Sequence, residues 1–245
     1  MDVRVLPDYE AMSDAAAEIV AQKLRAQPDA VFLIPTGTTP LGMYRRLVEL
    51  QEREGLSFSN ATFFNLDEYL GLASDHPASY HVYMKTNFYD LVNADPAKVH
   101  VPEGAAPDPE AECQRYEAAM REAGGVDLCV LGIGRNGHIG FNEPGAPFDS
   151  RTRVVRLAES TRLVNAADFE EKCAPERAIT VGMQTIFECR QALLLASGSN
   201  KARAVKAATE GTVTEEVPAS ILSQHPDVTF LLDRDAALLL DETDV

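Results

Sequence analysis

The chain has 245 residues, of which 45% are hydrophobic and 24% charged, and its net charge is −16 at pH 7. This composition is typical of a soluble globular protein with one large α/β domain or two small ones. The negative charge disfavours nucleic acid and anionic membrane as partners. The sequence contains no apolar run of about eighteen residues, so we expect no membrane span.

The cysteines indicate the compartment. The four of them, Cys113, Cys129, Cys173 and Cys189, are far apart and form neither a C-x-x-C pair nor a zinc-binding pattern. The first residues also lack the basic and apolar regions of a signal peptide. We therefore expect a cytoplasmic protein with reduced, mostly buried thiols and no metal site.

Apolar runs alternate with helical patterns along the whole chain, which predicts βαβ units. We predict a single domain over residues 1–245, with a Rossmann-like, doubly wound, mostly parallel sheet and helices on both faces. Ligands of such sheets bind beyond the carboxyl ends of the strands. The predicted strands are 30–35, 61–67, 126–133, 178–183, 191–196 and 228–232. The predicted helices are 9–26, 40–54, 76–92, 107–123, 199–210 and 218–225.

A turn of the sequence PTGTTP at 35–40 connects the first of these strands to a helix. Thr39 can cap that helix and Pro40 suits its first turn. Gly37 allows a ligand to approach the backbone closely. Thr36, Gly37, Thr38 and Thr39 are therefore candidates for an anion-binding turn at a helix N-terminus. The alternative is an ordinary helix start, and the Walker signature for nucleotide hydrolysis is absent.

Two carboxylates, Asp67 and Glu68, stand at the end of the next predicted strand. Adjacent strand residues point to opposite faces, so one carboxylate can face a ligand while the other packs elsewhere. An aspartate in this position, with its pKa raised by partial burial, is suited to removing a carbon-bound proton. The alternative is an aspartate that only forms a turn.

The segment GIGRNGHIGFNEPG at 132–145 follows a strong strand pattern and begins with G-x-G-x-x-G. A dinucleotide-binding fingerprint must open a helix. Gly140, Pro144 and Gly145 make a helix unfavourable here, so we reject nucleotide binding. The glycines instead indicate backbone space around a ligand.

His138 lies in this loop and is suited to exchanging protons near neutral pH. Glu143 can orient or charge its imidazole, and Asn136 can hydrogen-bond to the ring or to a substrate. The alternative is a histidine held in a turn with a glutamate facing water. Further along, Lys201 opens a helix after strand 191–196 and can reach the same edge of the sheet. The alternative is that Lys201 is an ordinary lysine on the solvated surface.

Several of these stretches together resemble the glucosamine-6-phosphate deaminase family, also called glucosamine-6-phosphate isomerase. The resemblance covers nearly the whole chain, and the pairing of LDEY with GHIGFNEPG is its most specific feature. The matching stretches are LIPTGTTPLGMY, FFNLDEYLGL, HPASYHVYM, DLCVLGIGRNGHIGFNEPG, SRTRVV, AITVGMQTI and SGSNKARAVKAATEG.

The resemblance implies an enzyme that converts glucosamine 6-phosphate and water to fructose 6-phosphate and ammonia without a metal or organic cofactor. Asp67 would remove the C2 proton, and His138 would assist opening of the sugar ring with support from Asn136 and Glu143. The 36–39 turn, Gly137 and Lys201 would bind the sugar phosphate. A homo-oligomer is compatible with the resemblance.

Three departures qualify what the resemblance implies. Asn136 stands where some members have aspartate. The phosphate-binding arginine of other members is missing after the stretch 161–165, which leaves Arg162 or Arg177 as substitutes. Val155 stands where allosteric members have lysine, so we expect weak or absent activation by N-acetylglucosamine 6-phosphate. One alternative is a 6-phosphogluconolactonase, and another is a sugar-phosphate-sensing regulator, which would need a basic DNA-binding face. Galactosamine 6-phosphate also stays open as a related substrate.

Overall fold

The computed structural model describes residues 1–165, 169 and 174–241. Strands and α-helices alternate along most of this length, as the sequence predicts. The strands are β1 (Asp2–Leu6), β2 (Val31–Ile34), β3 (Thr62–Asn65), β4 (Asp67–Tyr69), β5 (Val99–His100), β6 (Leu128–Gly132), β7 (Arg153–Arg156), β8 (Arg177–Thr180), β9 (Ala192–Ala196) and β10 (Val228–Asp233). The α-helices are α1 (Tyr9–Ala26), α2 (Leu41–Glu54), α3 (Tyr80–Asn87), α4 (Pro109–Glu122), α5 (Glu159–Asn165), α6 (Met183–Phe187) and α7 (Ala202–Thr209).

The larger of two sheets has seven strands in the order β1-β10-β9-β6-β2-β3-β5, and every neighbouring pair is parallel. From β2 the chain winds outward through β3 to β5. It then returns to the other side of β2 and winds outward through β6, β9 and β10. The direction of winding therefore reverses between β2 and β6, which is the position where doubly wound sheets bind ligands.

Successive residues of the central strands pack into two different hydrophobic cores. In β2, Val31 and Leu33 join the core under α4, α6 and α7, whereas Phe32 and Ile34 join the core under α1, α2 and α3. This alternation follows from the two-residue period of a strand. Because both faces are covered, the strands are apolar throughout, and the predicted fold class is confirmed.

The smaller sheet is antiparallel, with the order β4-β8-β7. The chain enters it directly from β3 through Leu66, whose carbonyl accepts a hydrogen bond from the Val181 N–H at 2.8 Å. Asp67, the first residue of β4, pairs with Thr180 of β8. The second sheet therefore begins at the carboxyl edge of the first, with Asp67 at the junction.

The structure corrects several predicted boundaries. The predicted strand 178–183 ends at Thr180, belongs to the small antiparallel sheet and is followed by α6. The predicted helix 76–92 is limited to α3, since Phe88 leaves helical geometry at φ −151 and is followed by a 3₁₀ turn at Tyr89–Leu91. The segment Pro218–Gln224 is a 3₁₀ helix, and another 3₁₀ turn at Ser199–Lys201 precedes α7.

Two further expectations concern the thiols and the membrane. Cys113, Cys129 and Cys189 are free and buried, whereas Cys173 lies outside the described residues. Among the helices that the structure describes, none combines the length and apolarity needed to cross a membrane.

Candidate functional site

Four segments with predicted site residues leave neighbouring strands at one edge of the large sheet. The 36–39 turn follows β2, Asp67 follows β3, the loop 133–142 follows β6, and Lys201 follows β9. These strands are adjacent in the order β9-β6-β2-β3, and all run parallel. The fold therefore brings the four segments to one rim, around the point where the winding reverses.

A β-turn at the start of the glycine-rich loop positions His138. The Gly137 N–H donates to the Gly134 carbonyl at 3.0 Å, and the Gly134 N–H donates to the His138 carbonyl at 2.9 Å. The imidazole lies directly against Gly134, where an added Cβ would be 2.2 Å from Cε1 of His138. Gly137 has a φ of +84°, which disfavours other residues. Two of the loop's glycines are thus required by the placement of His138.

Asn136 connects His138 to Glu143. Its Nδ2 donates to Glu143 Oε2 at 2.7 Å, which leaves Asn136 Oδ1 as an acceptor. This oxygen lies 2.7 Å from His138 Nδ1 and accepts from the His138 backbone N–H at 3.3 Å. Nδ1 must therefore carry a proton, and Nε2 of the neutral imidazole is left as a proton acceptor. The side chain of His138 retains 26% of its exposure, so solvent or a ligand reaches the ring.

Glu143 is held as a carboxylate by its neighbours. Its Oε1 accepts a short hydrogen bond from the Thr161 hydroxyl, and its Oε2 lies 3.4 Å from His138 Nδ1. Burial opposes ionisation, but the hydrogen bonds from His138, Thr161 and Asn136 outweigh it and lower the pKa of Glu143 to about 2. Glu143 is therefore charged at neutral pH and stabilises a positive charge on His138.

Asp67 has the opposite environment. It is 5% exposed, and within the described part of the chain its carboxylate accepts no hydrogen bond. Burial raises the pKa of Asp67 from 3.8 to about 7. A buried carboxylate without a partner, with a pKa near neutrality, is the arrangement expected of a general base.

Gly140 links Asp67 to the histidine loop. It lies two residues after His138, with a φ of +55°, and an added Cβ would be 3.4 Å from Asp67 Oδ2 and 3.1 Å from Thr180 Oγ1. The Thr180 hydroxyl in turn accepts from the Phe141 N–H at 3.1 Å. The loop that carries His138 therefore packs against the carboxylate of Asp67.

Glu68 serves a different purpose from Asp67, as the alternation of strand side chains predicts. It is fully buried, and its carboxylate accepts from the N–H groups of Tyr69 and Tyr80 at 2.8 Å and of His81 at 3.2 Å. Burial raises the pKa of Glu68, while these amides act against the rise. Glu68 thus anchors the N-terminus of α3.

Helix α3 in turn holds the 36–39 turn. The Tyr83 hydroxyl donates to the Gly37 carbonyl at 2.6 Å. From α1, the Tyr9 hydroxyl contacts the carbonyls of Thr38 and Thr39 at 3.2 and 3.1 Å. The carbonyls of the turn are therefore fixed by tyrosines.

The amides of the same turn remain available to a ligand. Among the residues that the structure describes, none accepts a hydrogen bond from the N–H groups of residues 36–39. Gly37 has a φ of +92°, and an added Cβ would meet no atom within 4 Å, so the turn is open on this side. The predicted cap is wrong: the N-cap of α2 is Pro40, without a side-chain cap. The groups that this turn offers to an anion are thus loop amides.

Lys201 reaches from the end of β9 to the end of β6. Its Nζ donates to the Ile133 carbonyl at 2.7 Å. Burial, and secondly the nearby charge of Arg135, lowers the pKa of Lys201. The side chain is therefore half-buried at the rim and is not a freely solvated surface lysine.

Of the two arginines suggested as substitutes for the missing one, Arg162 is held by other groups and Arg177 is exposed. Arg162 Nε donates to the Ala174 carbonyl at 3.1 Å, and its Nη1 lies 3.8 Å from Glu176. Arg177 begins β8, three residues from Thr180, and lines a surface hollow with Gly104. The residues 166–168, which replace the family's arginine-containing stretch, lie outside the described residues.

The geometry agrees with the rejection of a nucleotide fingerprint. After β6 the chain continues through residues 133–152, all of which the structure describes, without forming a helix. Across the described ranges, no three His, Cys, Asp or Glu side chains are grouped as metal ligands.

Sequence reasoning missed Gly134, Gly140, Thr161 and Thr180. Thr161 and Thr180 contact Glu143 and the loop across 18 and 39 positions of the chain. No local pattern indicates such contacts. The two glycines stood in the quoted loop, but their particular neighbours become visible only in three dimensions.

Comparisons with known proteins agree with this geometry. The family model for glucosamine-6-phosphate isomerases and 6-phosphogluconolactonase matches residues 7–231. Glucosamine-6-phosphate deaminase 1 of Bacillus subtilis is 50% identical over 240 residues, which cover 98% of this chain and 99% of the relative. The glucosamine-6-phosphate deaminase of Thermoanaerobacter pseudethanolicus is 46% identical over 246 residues, which cover 100% of this chain and 97% of the relative.

Solved structures separate into two groups. A structure described as a monomeric glucosamine-6-phosphate deaminase has 50% identity and a TM-score of 0.95, covering 98% of this chain and 100% of its own. The 6-phosphogluconolactonase of Trypanosoma cruzi has 19% identity and a TM-score of 0.79, covering 98% of this chain and 96% of its own. The second likeness concerns the fold alone.

Proposed function

The chain belongs to the family of glucosamine-6-phosphate isomerases and 6-phosphogluconolactonases, and from this premise we propose that it is a glucosamine-6-phosphate deaminase. The reaction is the conversion of glucosamine 6-phosphate and water to fructose 6-phosphate and ammonia. Full-length relatives with this name at 46% and 50% identity support the assignment.

The observation that carries the proposal is the environment of Asp67. Isomerisation of an amino aldose requires a base that removes a proton from C2, whereas hydrolysis of a lactone requires no carbon-bound proton to be removed. Asp67 is buried, has no hydrogen-bond partner among the described residues, and has a pKa of about 7. About half of such carboxylates are ionised at neutral pH, and the ionised form is an effective base.

Ring opening precedes this step and is assigned to His138. Its Nε2 is an acceptor when the imidazole is neutral, because Nδ1 donates to Asn136. Nε2 takes the proton of the C1 hydroxyl as the bond between C1 and the ring oxygen breaks, and the imidazolium then delivers this proton to the ring oxygen. The charge of Glu143, at 3.4 Å from Nδ1, stabilises the imidazolium that forms.

Asp67 then removes the C2 proton of the open-chain amino aldehyde while the aldehyde oxygen takes a proton from solvent, which gives an enolamine. Return of a proton at C1 converts the enolamine to a ketimine. Water adds to C2 of the ketimine, and ammonia leaves, so that fructose 6-phosphate remains. Each general acid or base step of this kind contributes roughly a hundred- to ten-thousandfold in rate.

The phosphate is assigned to the free amides of residues 36–39 and to Lys201, and Gly137 stays a predicted contact of the sugar phosphate. The amides have no acceptor among the described residues, and Lys201 Nζ is held at the same rim by Ile133. Backbone N–H groups and an ammonium are among the groups that bind phosphate in proteins.

A cytoplasmic location is supported by the free thiols of Cys113, Cys129 and Cys189.

The test is a coupled assay for fructose 6-phosphate and ammonia, combined with hydrogen exchange at C2 in D₂O. We expect the wild-type protein to release both products in equal amounts. Asp67→Asn should abolish C2 exchange while glucosamine 6-phosphate still binds, and Asp149→Asn, at an exposed position, should behave as wild type. Hydrolysis of 6-phosphogluconolactone without release of ammonia would refute the proposal.

The role of His138 is tested separately. His138→Gln should reduce turnover of the closed sugar more than turnover of an open-chain analogue, because only the closed form requires ring opening. Equal losses for the two compounds would contradict the assignment.

A further inference from the structure

Arg135 and Lys201 place two positive charges next to each other at the rim. Lys201 Nζ donates to the carbonyl of Ile133 at 2.7 Å, and Arg135 follows two residues later in the same loop. The charge of Arg135 adds to burial in lowering the pKa of Lys201, as expected of neighbouring cations.

Neither cation is neutralised by a carboxylate. In the ranges 1–165, 169 and 174–241, no Asp or Glu lies within 4.0 Å of the Arg135 guanidinium or of Lys201 Nζ. Other arginines, such as Arg115 and Arg151, are paired with glutamates at short distance. Two adjacent unpaired cations repel each other, and an anion between them removes the repulsion.

The backbone fixes where Arg135 can act. Arg135 and Asn136 are the two central residues of the β-turn closed by the hydrogen bond from Gly137 to Gly134 at 3.0 Å. Both are exposed at the tip of this turn. The turn follows β6, so it lies between Lys201, which follows β9, and the open 36–39 turn, which follows β2.

We propose that Arg135 supplies the second cation that binds the phosphate of the substrate, opposite the amides of residues 36–39 and beside Lys201. This inference rests on the proposed function, since it assigns one contact of the same substrate. A sugar phosphate carries close to two negative charges at neutral pH, and a guanidinium binds two phosphate oxygens through parallel N–H groups. Arg135 thus takes the role that the sequence left to Arg162 or Arg177.

The location also has a consequence for catalysis. Arg135 directly precedes Asn136, which holds His138 through its Oδ1 at 2.7 Å. A phosphate bound by Arg135 orders the tip of this turn and thereby the groups that open the ring. Binding of the phosphate and positioning of His138 are then two effects of one turn.

The experiment compares Arg135→Gln, Arg135→Lys and the control Arg53→Gln in steady-state deamination of glucosamine 6-phosphate. Arg53 is 72% exposed at the far end of α2, and its replacement removes the same unit charge. For Arg135→Gln we expect KM to rise on the order of ten- to a hundredfold, the range of a lost charge-assisted contact. We expect kcat of Arg135→Gln to fall at most about tenfold. Arg135→Lys should show a smaller increase in KM than Arg135→Gln, because it keeps the charge, and Arg53→Gln should match wild type.

Competitive inhibition by inorganic phosphate provides a second measurement. Arg135→Gln should raise the inhibition constant by a similar factor. Wild-type values of both KM and the inhibition constant in Arg135→Gln, or equal changes in Arg53→Gln, would overturn the inference while leaving the deaminase assignment intact.

Calorimetry distinguishes failure of the inference from failure of the proposed function. If the wild-type protein releases no ammonia, the proposed function fails. Titration of wild type and Arg135→Gln with glucosamine 6-phosphate then still measures the contact, and equal dissociation constants would overturn the role of Arg135.

Discussion

Replacing Asp67 by asparagine should stabilise the protein at high pH while abolishing its activity. In the wild type, burial raises the pKa of Asp67 from 3.8 to about 7. Between these two values the unfolded state releases a proton that the folded state retains. The free energy of unfolding therefore falls as pH rises through this window and stays constant above it. Asparagine has no proton to lose, so the variant escapes this fall.

The magnitude follows from the same two pKa values. One pKa unit corresponds to about 1.4 kcal/mol, so the full shift of Asp67 destabilises the ionised wild type by up to about 4 kcal/mol. Between pH 5 and pH 8, the advantage of Asp67→Asn over wild type should grow by about 2.5 kcal/mol. A gain of this size is a large fraction of the stability of a typical domain.

Urea unfolding at pH 5, 6, 7 and 8 measures the effect, with equal slopes against urea as the condition for comparing the free energies of unfolding. The control is Asp149→Asn, which makes the same change at an exposed position. The difference in the free energy of unfolding between Asp149→Asn and wild type should not vary over this range of pH. If the difference between Asp67→Asn and wild type is also constant with pH, Asp67 is not a desolvated carboxylate, and the argument for a general base with a pKa near 7 is refuted.

Three further predictions concern the groups around His138 and the 36–39 turn. In Gly134→Ala, the new Cβ would lie 2.2 Å from Cε1 of His138, so the imidazole must move. We expect kcat to fall on the order of a hundredfold with KM little changed. A wild-type kcat would contradict the close packing of His138 against Gly134. The pKa of Glu143 is lowered from 4.5 to about 2. Above pH 4.5 its ionised carboxylate therefore adds up to about 3 kcal/mol to the free energy of unfolding, and this contribution is lost as pH falls toward 2. In urea unfolding between pH 5 and pH 2.5, Glu143→Gln should not show this loss of stability. If the free energy of unfolding falls equally with pH in the variant and in wild type, the stabilising contribution of Glu143 is excluded. Tyr83→Phe removes the hydroxyl that donates to Gly37 at 2.6 Å, and KM for glucosamine 6-phosphate should rise roughly two- to tenfold at nearly constant kcat; an unchanged KM would separate the tyrosine from the phosphate turn.

The large sheet could be predicted because its strands carry an unusual pattern. β9 and β10 are buried along their whole length, since helices cover both faces, and such continuous apolar runs stand out in a sequence. The small sheet could not be predicted in the same way. β4 has three residues and β7 begins and ends with arginine, so neither shows a strand pattern, and their pairing with β8 depends on residues more than a hundred positions from β4.

Most site candidates were predicted because the rule for doubly wound sheets directs attention to the residues after each strand. That rule selected the 36–39 turn, Asp67, His138 and Lys201, and the structure brings all four segments to one rim. It did not select Arg135, because an exposed arginine in a turn has no distinguishing pattern. Its significance depends on the neighbouring Lys201 and on the absence of a carboxylate nearby in the described part of the chain.

The sequence by itself determined the central strands of the large sheet, the longer helices between them, the fold class and the chemical groups at the strand ends. These depend on local periodicity, on glycine and proline, and on the identity of each side chain. Only the tertiary structure decided how two similar carboxylic acids divide their tasks. Asp67 is buried without a partner and has a pKa of about 7, whereas Glu143 is hydrogen-bonded by Asn136, His138 and Thr161 and has a pKa of about 2. Desolvation and hydrogen bonding set a pKa, and both arise from packing between segments that are distant in the chain.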